Sequence, residues 1–366
     1  MPSAASQLDL AIVGGGPAGS SAAITAARMG AKVGLFDARD FPRHRVCGEF
    51  VSAESLDLLA GLLQDTPGAV SVFARAPAIK LMRLLFGGRV IEVGLSPPGL
   101  SITRYDLDVL LWDAAQRAGV EVHSNCEVIG SDGGGPFTLQ SSSGSYPAKA
   151  VIIAAGRWSQ FTPDRTLPPG PRWIGLKAHF REPKARPSTD LYFFENGYCG
   201  VQPVAADVVN ACAMVRSDRA TSLEQVFALH PELAERAAGW DVVVQPISTA
   251  PLVYRQPQPI RDNMMFVGDA AAFIDPFAGD GISIALRSGR VAAECLTEFL
   301  RAKGPLVDAV AAYQVEYSTQ FAPLISAAAR VRSLFSLPVV AKPAVFELLR
   351  LPGLLPYLIR KTRRAA

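Results

Sequence analysis

The sequence predicts an α/β protein. Three observations carry this: a glycine turn between two apolar strands at residues 8–37, a second strand–glycine–helix unit at 263–296, and a run of alternating apolar and polar residues between them. A chain of 366 residues, 49% hydrophobic and 19% charged, has the material for a large packed core and implies two domains, or one with insertions. A net charge of +3 is too small to point to nucleic acid. Five scattered cysteines without a CxxC pair predict reduced thiols and a cytoplasmic setting. Four histidines dispersed along the chain predict no metal site. No basic stretch precedes the first apolar run, so no signal peptide is expected, and no apolar run reaches the ~18 residues of a membrane span.

Leu8 to Val13 reads as a buried parallel strand. Gly14-x-Gly16-x-x-Gly19, a small-residue helix to about Met29, and a second strand from Lys32 to Phe36 follow, and that strand ends at Asp37. A lone GxGxxG is weak evidence. Set between strand and helix, with an acid 18 residues beyond the last glycine, it points to dinucleotide binding. Gly14 permits the turn, Gly16 brings backbone N–H groups to a pyrophosphate, and Gly19 lets helix and strand pack closely. The helix N-terminus offers about half a positive charge to the phosphates. Asp37 is suited to accept hydrogen bonds from an adenosine ribose. Its charge argues against a 2′-phosphate and so favours FAD or NAD.

At 263–296, a strand from Met264 to Val267 ends in Gly268-Asp269; Pro276, Gly279 and Gly281 lead into a helix to about Leu300. A Gly-Asp strand end followed by P-x-x-G-x-G-I resembles the second FAD fingerprint of the p-hydroxybenzoate-hydroxylase-like flavoproteins. The resemblance implies a Rossmann-type FAD-binding domain with an inserted antiparallel-sheet substrate domain and a helical C-terminal tail. It places Gly14, Gly16, Ala18, Gly19 and Asp37 along the nucleotide half of FAD and Asp269 on a ribityl hydroxyl. The backbone of Gly279, Gly281 and Ile282 then faces the pyrimidine side of the flavin, where N–H groups at a helix start stabilise negative charge near N1. Arg104, in an R-x-x-L-D pattern at a helix start, matches the family's FAD-contacting arginine; an ordinary surface arginine would read the same way. Val128 matches a backbone contact to adenine. Ala155 stands where many relatives carry Asp, and no second GxGxxG unit exists, so NADH or NADPH is expected only as a transient electron donor.

"RHRVCGEFVS" (43–52) follows the ribose acid. A basic residue before C-G-E resembles geranylgeranyl reductases and flavin-dependent halogenases, and implies that Cys47 and Gly48 lie at the isoalloxazine ring. Gly197, Tyr198, Gly200 and Pro203 resemble the reductase segment that floors a prenyl pocket. The halogenase W-x-W-x-I-P signature is missing from the middle segment, which disfavours halogenation. Cys47 or Tyr198 is the candidate proton donor; Cys47 reads equally as small packing against the flavin. Glu49 is read as an ion-pair partner of Arg43 and Arg45, or else as a group behind the site.

From 173 to 180, Ile174, Leu176, Ala178 and Phe180 share one strand face and Trp173, Lys177 and His179 the other. The apolar face is expected to roof the flavin pocket. The basic face is expected to be solvated, or else to meet an anionic headgroup. Tyr192, Phe193, Phe194 and Tyr198 suggest an aromatic pocket. The tail, ending in Arg360, Lys361, Arg363 and Arg364, is expected to close over the substrate domain or lie on a membrane surface. The expected division is a FAD-binding domain at 1–50, 101–162 and 256–302, a substrate domain at 51–100 and 163–255, and a helical region at 303–366. The expected activity is FAD-dependent reduction of carbon–carbon double bonds in a lipophilic, prenyl-like substrate. A monooxygenase acting on an aromatic or polyketide-like substrate and a FAD-binding electron-transfer protein are the alternatives.

Overall fold

The computed structural model describes residues 7–162, 166–167, 169–249, 251–335, 342–351 and 353–363. The chain opens with β1 (Leu8–Val13), α1 (Pro17–Arg28) and β2 (Val33–Phe36). It then leaves this layer through β3 (Phe50–Val51), α2 (Leu56–Leu63), α3 (Ala69–Arg75), β4 (Ala78–Phe86) and β5 (Arg89–Ser101). It returns with α4 (Arg104–Arg117), β6 (Glu121–His123), β7 (Val128–Gly133), β8 (Phe137–Ser141) and β9 (Gly144–Ile153). A second excursion supplies β10 (Trp173–Arg181), β11 (Ser188–Phe194), β12 (Gly197–Ala205), β13 (Val208–Arg216), α5 (Leu223–Ala228), α6 (Pro231–Ala237) and β14 (Asp241–Ser248). The first layer is completed by β15 (Ile260–Arg261), β16 (Met264–Phe266), α7 (Gly281–Cys295) and α8 (Thr297–Leu300). Helices α9 (Leu306–Gln320), α10 (Ala322–Phe335), α11 (Lys342–Leu349) and α12 (Leu354–Arg363) follow.

The first sheet runs β15-β16-β9-β1-β2-β6, parallel from β16 to β6. β1 is almost wholly buried, as a strand covered on both faces must be. α1 and α7 cross tightly because α7 carries glycine there: a Cβ at Gly289 would sit 2.0 Å from Ala18 O, while Gly19 lets α1 pack on its own turn, a Cβ there lying 1.8 Å from Gly14 O. The glycine- and serine-rich stretches at 131–136 and 141–147, whose composition alone predicts turns, contain strand. β7, β8 and β9 form an antiparallel ribbon whose turns are short. The helix expected to run to Leu300 is broken after Cys295 into α7 and α8.

The second sheet runs β14-β10-β13-β12-β11-β4-β5-β3, antiparallel except between β11 and β4. Its two faces bury different cores. Leu176, Ala178 and Phe180 of β10, with Tyr192 and Phe194 of β11, pack beneath α5 and α6. Leu191, Phe193, Tyr198 and Met214 face the other way, where α11 and α12 add Phe346, Leu349 and Leu355. This reverses the expectation for β10: its apolar face lies under α5–α6, and its polar face turns toward the first domain. Among the described residues no helix is long and apolar enough to cross a membrane.

Candidate active site

The nucleotide end is built at the turn between β1 and α1. Gly14 has φ +108°, and a Cβ there would lie 2.4 Å from Ala154 O, so only glycine fits. α1 starts at Gly16 and Pro17 without a side-chain cap, leaving its first amides facing the cleft. The R-x-x-L-D pattern acquires a physical meaning here. Buried Asp108, one turn along α4, holds the Arg104 guanidinium at 2.7 and 2.6 Å and aims it at the turn, with Nη2 3.7 Å from where a Gly16 Cβ would be. Asp37 is not a lone acceptor. It accepts from Gly15 N–H at 2.7 Å and Arg39 N–H at 3.0 Å, and Arg43 grips it with both terminal nitrogens. Burial would raise its carboxyl, but Arg43 more than offsets this and holds it below the usual range. A ribose here would share Asp37 with Arg43, a partner that sequence reasoning missed, and the carboxylate's charge is already answered. Arg45 is depressed to about 10, by burial and then by Arg43 and Arg104 beside it. Val128, buried at the start of β7, follows Cys126, whose N–H donates to Asp37 O at 2.8 Å.

At the flavin end, Asp269 follows β16 and stands 38% exposed, with Arg157 Nε 3.8 Å away. Confinement in the cleft raises its carboxyl, against the pull of Arg157 and Arg104. Gly279, at φ +72°, turns the chain into α7, whose first residues Gly281 and Ile282 also lack a side-chain cap. Arg157 follows the Ala155-Gly156 pair; it donates to Thr249 Oγ1 at 2.9 Å and lies over the Phe273 ring. A cavity of about 110 Å³ adjoins these groups, and Cys47, Gly48, Asp269 and Gly279 line it from the first domain. Tyr198, Gly200 and Cys212 line it from the second sheet. Of the aromatic run only Tyr198 reaches the cavity; Phe193 packs behind it, and Tyr192 and Phe194 lie on the opposite face. Pro203 pairs with Val209 inside the sheet and does not line the cavity.

Around the loop that carries Cys47, the ion-pair reading of Glu49 fails and its other reading, a group behind the site, fits. Glu49 pairs with neither Arg43 nor Arg45. Its Oε1 accepts from Lys177 Nζ at 2.5 Å and from Arg104 N–H at 2.8 Å, and its Oε2 lies 2.7 Å from His179 Nε2. Lys177 and His179, read as a solvated row, are 1% and 4% exposed. The histidines are not all apart either, since the His44 and His179 rings meet at 5.1 Å, edge to face, beside Glu49. Lys177 already neutralises the carboxylate that a metal would need, so the cluster reads as an ion pair with flanking imidazoles. The strand alternation at 173–180 was the available signal. It separated Lys177 and His179 from the apolar face but left open what that polar face meets.

These residues fit a FAD: uncapped helix starts at Gly16 and Gly281, guanidinium groups along the diphosphate side, a carboxylate midway, and a cavity beside the ring end. The chain matches the family model described as pyridine nucleotide-disulphide oxidoreductase over residues 8–170. It is 26% identical over 363 residues to a menaquinone reductase of Mycolicibacterium smegmatis, covering 90% of this chain and 85% of the relative. It is also 26% identical to digeranylgeranylglycerophospholipid reductase 1 of Methanopyrus kandleri, covering 94% of each. The chain is an FAD-dependent oxidoreductase. This flavoprotein shares its fold with a flavin-dependent brominase, at a TM-score of 0.78 and 20% identity, over 98% of this chain and 93% of the other. The relatives it matches include reductases of the geranylgeranyl type, in line with the superfamily that the two fingerprints resemble.

Proposed function

We propose that this flavoprotein reduces carbon–carbon double bonds of a lipophilic, prenyl-like substrate, with NADH or NADPH as electron donor. The cavity carries the proposal. Phe50, Met82, Leu191, Met214 and Leu252 give it apolar walls, and Tyr198 presents a buried hydroxyl without a hydrogen-bond partner among the described residues. When bound and reduced, FAD supplies a hydride. The protein's part is to hold the alkene and deliver a proton to the second carbon. Burial first, then Asp275 and Tyr254, push the Tyr198 phenol well above its ordinary value, so it keeps its proton at neutral pH. Cys47 lines the same cavity, its Sγ accepting the Glu49 N–H at 3.3 Å, and is the second candidate donor. The names of two relatives, a menaquinone reductase and a digeranylgeranylglycerophospholipid reductase, support a lipid substrate. α11 and the turn after it expose Leu348 and Leu351 beside Arg350, a surface suited to an anionic lipid face where such substrates reside.

The test is anaerobic turnover with NADH or NADPH and isoprenoid lipids, read by product mass. A gain of a hydrogen pair per double bond supports the reductase. NAD(P)H-coupled oxygen uptake with a hydroxylated product would select the monooxygenase instead, and flavin reduction with no product the electron-transfer reading. Tyr198→Phe should keep FAD and lower turnover on the order of 10²-fold, the usual worth of a positioned acid. Unchanged turnover would transfer the role to Cys47, tested by Cys47→Ser.

A further inference from the structure

The segment Arg45–Glu49 is held from the second sheet at nearly every residue. Lys177 Nζ donates to Arg45 O at 3.3 Å. Gly175, two positions earlier on the same face of β10, has room for Val46 only because it lacks a side chain: a Cβ there would stand 2.9 Å from Val46 Cγ1. Asn210 Nδ2, opposite His179 across the β10–β13 ladder, donates to Cys47 O at 3.0 Å. Glu49, fully buried and at φ +62°, takes Lys177 on one oxygen and His179 on the other. Its main chain faces the first domain, with Ile102 N–H donating to its carbonyl at 3.0 Å.

A left-handed glutamate is strained and persists only where its surroundings over-determine it. Here they do. A carboxylate that simply neutralised a buried lysine would need neither the strained backbone nor the carbonyl contacts to residues 45 and 47. Those contacts all bear on one object, the Cys47–Gly48 backbone at the cavity wall. The opposite wall, with Tyr198 and Cys212, belongs to the same sheet that carries Lys177, His179 and Asn210.

We propose that Lys177, His179 and Asn210, acting through Glu49 and the carbonyls of Arg45 and Cys47, are positioning residues for the flavin that fix the Cys47–Gly48 backbone against FAD and hold the cofactor wall in register with the substrate wall. The inference rests on FAD binding in the cleft and is independent of which substrate is reduced.

The experiment compares wild type, Asn210→Ala and the double variant Glu49→Gln/Lys177→Met, each as full-length protein. Removing both charges avoids leaving a buried ion unpaired. The readouts are FAD affinity by titration of apoprotein, the visible spectrum of the bound flavin, and thermal midpoint without FAD. The expected result is a roughly tenfold weaker FAD complex with an altered spectrum in the double variant, and a smaller change of the same kind in Asn210→Ala, the worth of one lost hydrogen bond. The apoprotein midpoints should stay near wild type. A double variant that matches wild type in FAD affinity and spectrum would show a purely structural ion pair and overturn the proposal. If the double variant does not fold, Asn210→Ala decides alone: wild-type affinity and spectrum overturn the proposal, and weakened binding with an intact apoprotein supports it. Wild-type protein that takes up no FAD would overturn the flavin reading itself, an outcome distinct from either.

Discussion

Asp269 and His44 show what single environments impose. Asp269 meets the cleft with Arg157 Nε 3.8 Å away, too far for a hydrogen bond, and with Arg104 acting on it as a second cation. Its oxygens are therefore open to a ribityl hydroxyl. Asp269→Ala should weaken FAD by about 10- to 100-fold, the range for a hydrogen bond to a charged group. A purified variant that stays yellow with stoichiometric FAD would sink this assignment. His44 is depressed from 6.5 to about 4, by burial first, then by Lys177 and His179, with Glu49 pulling the other way. The edge of its ring also meets Tyr105 at 3.9 Å. Because the folded state resists the proton that the unfolded state takes up near 6.5, its contribution is full above that pH and is lost as pH falls toward 4. His123 and His230 are depressed by burial in the same direction. The thermal midpoint should decline below about pH 6.5, and His44→Gln should make that decline shallower; an unchanged slope would exclude His44 as a contributor.

At the scale of elements, the crossing of α1 and α7 brings two uncapped helix starts to one cleft, and Gly289 is what permits it. Its absent Cβ would press to 2.0 Å from Ala18 O, which is main chain and cannot swing aside. Gly289→Ala should therefore cost on the order of 1–3 kcal/mol by overpacking, despite the ~1 kcal/mol of helix propensity that alanine adds. FAD affinity should fall with it, because both helix starts shift. Gly61→Ala in α2, with nothing within 4 Å of its Cβ position, is the control and should be neutral or stabilising. Chemical denaturation of both variants checks this, and equal midpoints would refute it. Elements whose pattern and punctuation agreed were legible: β1, α1, β2 and the helix start at Arg104. β7 and β8 were not, because their glycines and serines are turn-formers by propensity, and strand pairing with β9 overrides that locally.

In the whole molecule, the tail closes the apolar cluster that also walls the cavity. Phe346 stacks on Phe86 at 5.1 Å, and Leu349 and Leu355 are buried with it. This meets the expectation of a covering pair of helices. Arg360, Lys361 and Arg363 lie within α12, and Arg364 lies outside the described residues. Leu348 and Leu351 remain 52% and 54% exposed. Full-length protein should co-sediment with vesicles containing anionic phospholipid more than with neutral ones. Leu348→Ser/Leu351→Ser should reduce that binding several-fold while leaving FAD bound. Equal recovery with and without vesicles would remove the lipid-surface proposal.

By itself the sequence determined what depends on neighbours along the chain. The glycine turn, the Gly-Asp strand end and the helix starts are local in their steric and dipolar logic, so Gly14, Gly16 and Asp37 could be read as a dinucleotide site from spacing, and Asp269 and Gly279 as a flavin site from the fingerprint they resemble. The tertiary structure decided the partners. That Asp37 is gripped by Arg43, that Arg104 is aimed by Asp108, and that Glu49 answers to Lys177 and His179 some 130 residues away all depend on which faces meet. Alternation marks two faces of a strand, but which one turns toward the cofactor domain is settled only when the second sheet packs and the charges on β10 find a buried carboxylate instead of water.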